Sequence, residues 1–172
     1  HGDLVYLGNS NARYLYGFNI SAQWKGFDFS MMFQGVGKRK IMIDAAAIAP
    51  FYTTYQMPWT IHRDYWTEDN QDAFWPRLYD YKTNNGGENF NFRPSDKWVQ
   101  DASYLRLKNI TLGYTIPYTK KYVNSVRVYI TGNDIWEHSD LLKVFDPEAG
   151  NNVGRNYYPF FRTWAFGVNI TF

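Results

Sequence analysis

From residue 12 to residue 24 apolar and polar side chains alternate almost one for one. Tyr14, Tyr16, Phe18, Ile20, Ala22 and Trp24 occupy one register, and Arg13, Gly17, Asn19, Ser21 and Gln23 the other, with Leu15 the only intruder. A period of two belongs to a strand whose faces meet different surroundings. After Lys25 and Gly26 the alternation resumes with Phe27, Phe29, Met31 and Phe33, so the break of two residues predicts a tight hairpin. A third run, 103–116, changes phase: Leu105 and Leu107 stand out of register with Ile110, Leu112, Tyr114 and Ile116, which predicts a bulge near Lys108 and Asn109. A compact turn is expected from Pro117 to Tyr122. Val126, Val128 and Ile130 then mark a fourth strand, and Trp164, Phe166, Val168, Ile170 and Phe172 a fifth. The predicted strands are about 12–24, 27–35, 103–116, 124–132 and 161–172.

The links after the first and third strands are short, whereas those after the second and fourth are long, about 36–101 and 133–160. In an antiparallel sheet this puts short and long connections at opposite ends, the asymmetry of outer-membrane barrels. The expected fold class is therefore all-β, an antiparallel transmembrane β-barrel segment. Long strands and an aromatic terminus weigh against the alternative, a secreted β-sandwich that binds polysaccharide, whose strands would typically run ~5–6 residues. Five strands cannot close a barrel, and an open edge in lipid is costly, so the chain reads as a piece of something longer. It begins with His1 and enters a strand pattern with no leader-like stretch before it.

Composition sharpens this picture in three places. The chain has 172 residues, of which 15 are Tyr, 13 Phe and 7 Trp, an excess suited to surfaces that are half apolar and half wet. Mean hydropathy is only −0.51, with no run resembling the ~18 apolar residues of a membrane helix. A net charge of +2 gives no argument for nucleic acid, and the absence of Cys removes disulfide frameworks and thiolate metal sites.

Several stretches resemble the C-terminal part of the SusC/RagA family of TonB-dependent outer-membrane transporters of Bacteroidetes. They are GDLVYLGN at 2–9, FQGVGKR at 33–39, RDYWTEDN at 63–70, WPR at 75–77, SYLRLKNITLGYTIP at 103–117, RVYITGNDIW at 127–136, FDPE at 145–148 and YPFFRTWAFGVNITF at 158–172. The resemblance implies a 22-stranded plugged barrel, of which this chain supplies the last five strands, the plug and N-terminal domains lying outside it. It implies a SusD-like surface lipoprotein as lid, coupling to the TonB complex through the missing N-terminal part, and import of oligosaccharides or oligopeptides. It also implies an outer-membrane location with a periplasmic C-terminus. Gly167, Val168, Ile170 and Phe172 match the spacing of the signal read by the barrel assembly machinery. Asp134 and Ile135 stand where the family more often has Asn-Leu, and 41–60 follows no family pattern.

The long loop carries the candidate binding chemistry. Trp59, Trp66, Trp75 and Trp98, with Tyr52, Tyr55, Tyr65, Tyr79 and Tyr81, offer flat apolar faces, and Asp64, Glu68, Asp69, Asn70, Asp72 and Arg77 offer polar partners. Most of these aromatics are expected to form the loop's own small core, particularly within RDYWTEDN. Trp59, Trp66, Trp75, Tyr79, Arg77 and Trp136 are the candidates for contact with cargo or lid. Short helical pieces are expected within Ile41–Ala49 and from Pro58 to Tyr65. No enzymatic function is expected: the carboxylate pairs Asp64/Glu68 and Asp146/Glu148 are read as solvated or binding a cation, and calcium at Asp146 and Glu148 has no D-x-[DN]-x-[DN]-G loop behind it. Nor is a cofactor or metal expected, since His1, His62 and His138 lack ligand spacing. GVGKRK at 35–40 lacks phosphate-loop spacing, and its basic residues are placed beside anionic lipid at the rim. The N-x-[ST] triplets at Asn19, Asn109 and Asn169 fall inside predicted strands and are read as a by-product of alternation.

Overall fold

A computed structural model describes residues 4–52, 57–79, 90–120, 122–149 and 160–172. These fall into two compact units, a sheet and a folded loop region.

The sheet has five antiparallel strands. In order across it they are β1 (Tyr14–Trp24), β2 (Phe27–Gly37), β5 (Tyr104–Lys120), β6 (Val123–Ser139) and β7 (Thr163–Thr171). Lys25 at φ 46° and Gly26 at φ 87° make the two-residue turn between β1 and β2, both in the left-handed region that such hairpins require. A Cβ on Gly26 would lie 2.9 Å from the Thr115 carbonyl oxygen, so glycine is needed there for space as well as for φ. Register follows the alternation: Phe18 faces Phe33, Ile20 faces Met31, Phe29 faces Leu112, Leu112 faces Ile130, and Ile130 faces Phe166. One continuous apolar face results.

That face is open. Phe166 is 80% and Phe172 81% exposed, and Phe18, Trp24, Leu112, Val128, Trp164, Val168 and Ile170 are exposed too. A β-sandwich would bury this surface under a second sheet; here no second sheet covers it among the described residues, and the fold is a segment of an antiparallel transmembrane β-barrel. From Tyr14 to Trp24, at ~3.4 Å per residue and a tilt of ~45°, β1 climbs roughly 24 Å, close to the apolar height of ~25 Å in an outer-membrane barrel.

The phase change in β5 is real and sits at Lys108: the register shifts between Leu107 and Asn109 against both neighbours. On β6 the irregularity centres on Asp134, whose φ of 51° is left-handed. Two expected boundaries need correction. β6 continues to Ser139, well past 132: Gly132 and Asp134 interrupt the run of apolar residues, but Asp134 and Ile135 are a two-residue insertion between the Asn109–Asn133 and Leu107–Trp136 pairs, so the phase is kept and Trp136 stands opposite Leu107 on the face of Val126, Val128 and Ile130. The connection expected from 133 therefore starts as strand. β5 likewise continues past 116 through Pro117 to Lys120, so the expected compact turn shrinks; the register shift between Pro117 and Lys120 accommodates a proline that has no N–H to donate.

The second unit is built from the long connections. It contains β3 (Lys40–Met42) paired with β4 (Val99–Asp101), the single helical turn α1 (Ala45–Ile48) and short 3-10 turns. Asp44 caps α1 by accepting the Ala46 N–H at 2.8 Å. The second expected helix is only the 3-10 turn Thr60–Arg63, with Pro58 lying outside it. No helix of the described residues is long and apolar enough to cross a membrane.

Candidate functional site

On the polar face of the sheet, Asp28 of β2 and Arg127 of β6 are paired across the intervening strand β5. Arg127 donates from Nε to Asp28 Oδ1 at 2.8 Å and from Nη2 to Oδ2 at 2.5 Å. The fork-to-carboxylate geometry fixes both side chains. The pair spans a whole strand because the β5 residue beneath it is Gly113, where any Cβ would collide with the Asp28 carboxylate and Arg127. Arg127 in turn lies 4.7 Å over the Tyr129 ring, and that ring covers Gly167 of β7.

Farther along the same face, neutral groups form a ladder across β5, β6 and β7. Asn109 donates to Thr131 Oγ1 (3.0 Å) and Asn133 Oδ1 (2.9 Å), Thr111 donates to Thr131 Oγ1 (2.9 Å), and Asn133 reaches Thr163 Oγ1 (3.4 Å). Beyond it, Arg106 is fully buried and paired with Glu137, and Lys108 Nζ meets Asp134 Oδ1 at 2.7 Å. Phe160 lies under both cations, 5.2 Å from Arg106 and 4.4 Å from Lys108. This surface can hydrogen-bond and hold charge in balanced pairs. Among the described residues it brings together no nucleophile and base, and no three His, Cys, Asp or Glu side chains converge as a metal site would need.

The loop unit has a conventional interior. Trp98 is 1% exposed and stacks on Trp75 (5.6 Å) and Phe92 (5.1 Å), with its indole N–H donated to the Asn91 carbonyl at 2.8 Å. His62 packs edge-on against Trp75 at 4.7 Å. Its Nδ1 accepts the Trp59 backbone N–H at 2.8 Å, which requires the ring proton on Nε2, donated to the Ile48 carbonyl at 2.6 Å. The neutral ring is thus fully satisfied, and burial holds its pKa below the ordinary 6.5.

RDYWTEDN is the brace of this unit. The Asp64 carboxylate accepts the Phe74 N–H and an Asn70 amide N–H, each at 3.1 Å, and these bonds, the Asn70 one first, lower its pKa from 3.8. The Asp64 carbonyl accepts the Trp75 N–H at 3.1 Å, and the Trp75 carbonyl accepts the Trp66 N–H at 2.9 Å. The motif folds back on the Trp75 segment and locks that ring into the core.

The six candidate contact residues separate accordingly. Trp75 is 3% exposed and is core, with no surface to offer cargo. Trp136 is exposed, but pairing with Leu107 puts it on the apolar face of the sheet, away from the polar one. Trp59, Arg77 and Tyr79 are exposed and Trp66 half-buried, and Arg77 lies 5.5 Å over the Tyr79 ring. Tyr55, Tyr81 and His1 lie outside the described residues. Gly167, Val168 and Ile170 lie in β7 and Phe172 follows it. Asn19, Asn109 and Asn169 all sit within strands. Sequence reasoning missed the Asp28–Arg127 pair, the Arg106–Glu137 pair and the role of His62. Gly113, in the middle of an otherwise regular strand, was the one local signal for the first of these.

No family model matches the chain. It is 30% identical over 186 residues to TonB-dependent receptor P26 of Formosa agariphila, covering 99% of this chain and 18% of that protein. It is 26% identical over 189 residues to TonB-dependent receptor P3 of the same organism, covering 99% and 17% respectively. A shorter match, 36% over 83 residues, reaches 45% of the chain and 8% of the TonB-dependent receptor SusC of Bacteroides thetaiotaomicron. Among solved structures, the RagAB peptide importer in its closed-closed state superposes with a TM-score of 0.68 at 26% identity, covering 92% of this chain and 17% of that one. The RagAB peptide transporter gives 0.67 at 28%, covering 91% and 17%. The chain thus spans less than a fifth of the length of the relatives it matches. With a two-faced antiparallel sheet and these matches together, the chain belongs to the SusC/RagA family of TonB-dependent outer-membrane proteins, in which it forms part of the β-barrel.

Proposed function

We propose that the protein containing this chain imports oligosaccharides or oligopeptides across the outer membrane, driven through TonB and assisted by a SusD-like surface lipoprotein. The observation that carries this reading is the likeness to TonB-dependent receptors along 99% of the chain. In it the sheet is barrel wall, with its apolar face to lipid and its paired charges and Asn/Thr ladder to the lumen. The loop unit lies on the extracellular side, and the C-terminus is periplasmic. Trp59, Trp66, Arg77 and Tyr79 are its surface for cargo or lid. Gly167, Val168, Ile170 and Phe172 serve the barrel assembly machinery. No bond chemistry is assigned to any residue, in keeping with relatives named as receptors and transporters.

The test is uptake of fluorescent oligosaccharide and oligopeptide pools by cells with and without the full-length gene. Loss of uptake of one class on deletion, and again on TonB depletion, is the expected result and names the cargo. Unchanged uptake of both would sink the proposal. Affinity purification of the full-length protein from detergent extract is expected to bring a surface lipoprotein with it.

A further inference from the structure

We propose that Arg13, Tyr14 and Lys38 form a binding site for the phosphate of a lipid headgroup at the rim of the barrel wall. Tyr14 begins β1 and is the first residue of its apolar face, at the end of the hairpin away from the tight turn. Tyr14 is 48% exposed, and its cross-strand partner is Gly37, which has no side chain to cover it. Two cations converge on this ring. The Arg13 guanidinium carbon and the Lys38 ammonium nitrogen each lie 5.7 Å from its centroid.

Both cations are exposed, and among the described residues neither has an acidic partner, whereas Arg106, Lys108 and Arg127 of the same sheet are all ion-paired. Neighbouring Arg39 is buried, while Lys40, the first residue of β3, is exposed. Lys38 has φ 52°, a left-handed conformation that residues with a Cβ rarely adopt, and it turns the chain just after β2 ends at Gly37. Where the apolar face of a barrel stops, lipid headgroups begin. A guanidinium and an ammonium held over one aromatic plate present donors and positive charge to an anion there. The tight-turn end of the same hairpin has a smaller version, with Lys25 alone 4.9 Å over exposed Trp24. The chemistry at the Tyr14 end therefore fits a phosphate-bearing lipid headgroup, and which leaflet supplies it depends on the orientation proposed above.

The experiment uses the full-length protein in detergent, native mass spectrometry, and a phosphorylated glycolipid with its phosphatase-treated counterpart as probes. Wild type is expected to retain the phosphorylated form preferentially, by about fivefold per cation. Arg13→Gln/Lys38→Gln should lose the preference. The swap Arg13→Lys/Lys38→Arg should keep it, and a heat-dependent gel shift confirms that each barrel is folded. Equal retention of the two lipids by wild type, or an undiminished preference in the folded double Gln variant, overturns the proposal. So does displacement of the lipid by inorganic phosphate, which would indicate a free-anion site; retention of the lipid in excess inorganic phosphate supports the headgroup.

Discussion

The sheet and the loop unit are both rich in aromatic residues and use them in opposite ways. In β7, Trp164 and Phe166 stand exposed on the apolar face, while in the loop Trp75 and Trp98 are enclosed with Phe92 and His62. The sheet is ordered from its polar side, by ion pairs and amide-hydroxyl bonds between strands, and leaves its apolar side to lipid. The loop region is ordered as a water-soluble domain is, by excluding water from a small core. Aromatic content alone therefore says nothing about which solvent a segment meets; period two against irregular spacing does.

This contrast can be broken from either side. The largest effect is expected in the loop, where Trp98→Ala should cost ~3–5 kcal/mol of that unit's stability. Hydrogen exchange should show lost protection around Ile43 and Trp75 while the barrel keeps its heat-dependent gel shift; loss of both would mean that the two regions are not separately ordered. Next come Val168→Arg and Phe18→Arg, which should cost ~2–4 kcal/mol in lipid if near the midplane, with Asn169→Arg and Asn19→Arg far milder. Similar unfolding midpoints for the two faces in vesicles would refute the assignment of the lipid side. Gly113→Val should cost ~1–3 kcal/mol by overpacking beneath the Asp28–Arg127 pair. In that background Asp28→Asn should have little further effect, and full additivity would show that the pair does not depend on the glycine.

The smallest effect concerns His62. Its pKa is depressed in the fold, so the folded state binds fewer protons than the unfolded one as pH drops below 6.5. Loop stability should be complete above that pH and decline below it, down to the folded-state pKa, as protonation of Nδ1 costs the Trp59 N–H its acceptor. Proteolysis of the loop across pH 7 to 5 measures this, and His62→Gln should flatten the profile. A profile unchanged in His62→Gln would place the pH dependence elsewhere.

Five strands, the tight turn at Lys25–Gly26 and the bulge at Lys108 were legible in the sequence, because a strand's pattern is local and a membrane imposes it strictly on every residue. The far half of β6 was not, since Gly132 and Asp134 interrupt the apolar positions and hide the continuing strand. The loop's need for a core of its own was also legible from its length and aromatic content. Which aromatics would fill that core was not. Trp75 and Trp59 look equivalent in the chain, and only the fold of RDYWTEDN onto Trp75, through Asp64, buries one and leaves the other at the surface. The Asp28–Arg127 bridge belongs to the same class: its partners are 99 positions apart, and they meet because β2 and β6 flank a strand that presents Gly113 between them. By itself the sequence determined the faces, since alternation is written residue by residue. Tertiary structure alone decided the partners, since they depend on which distant segments pairing brings side by side.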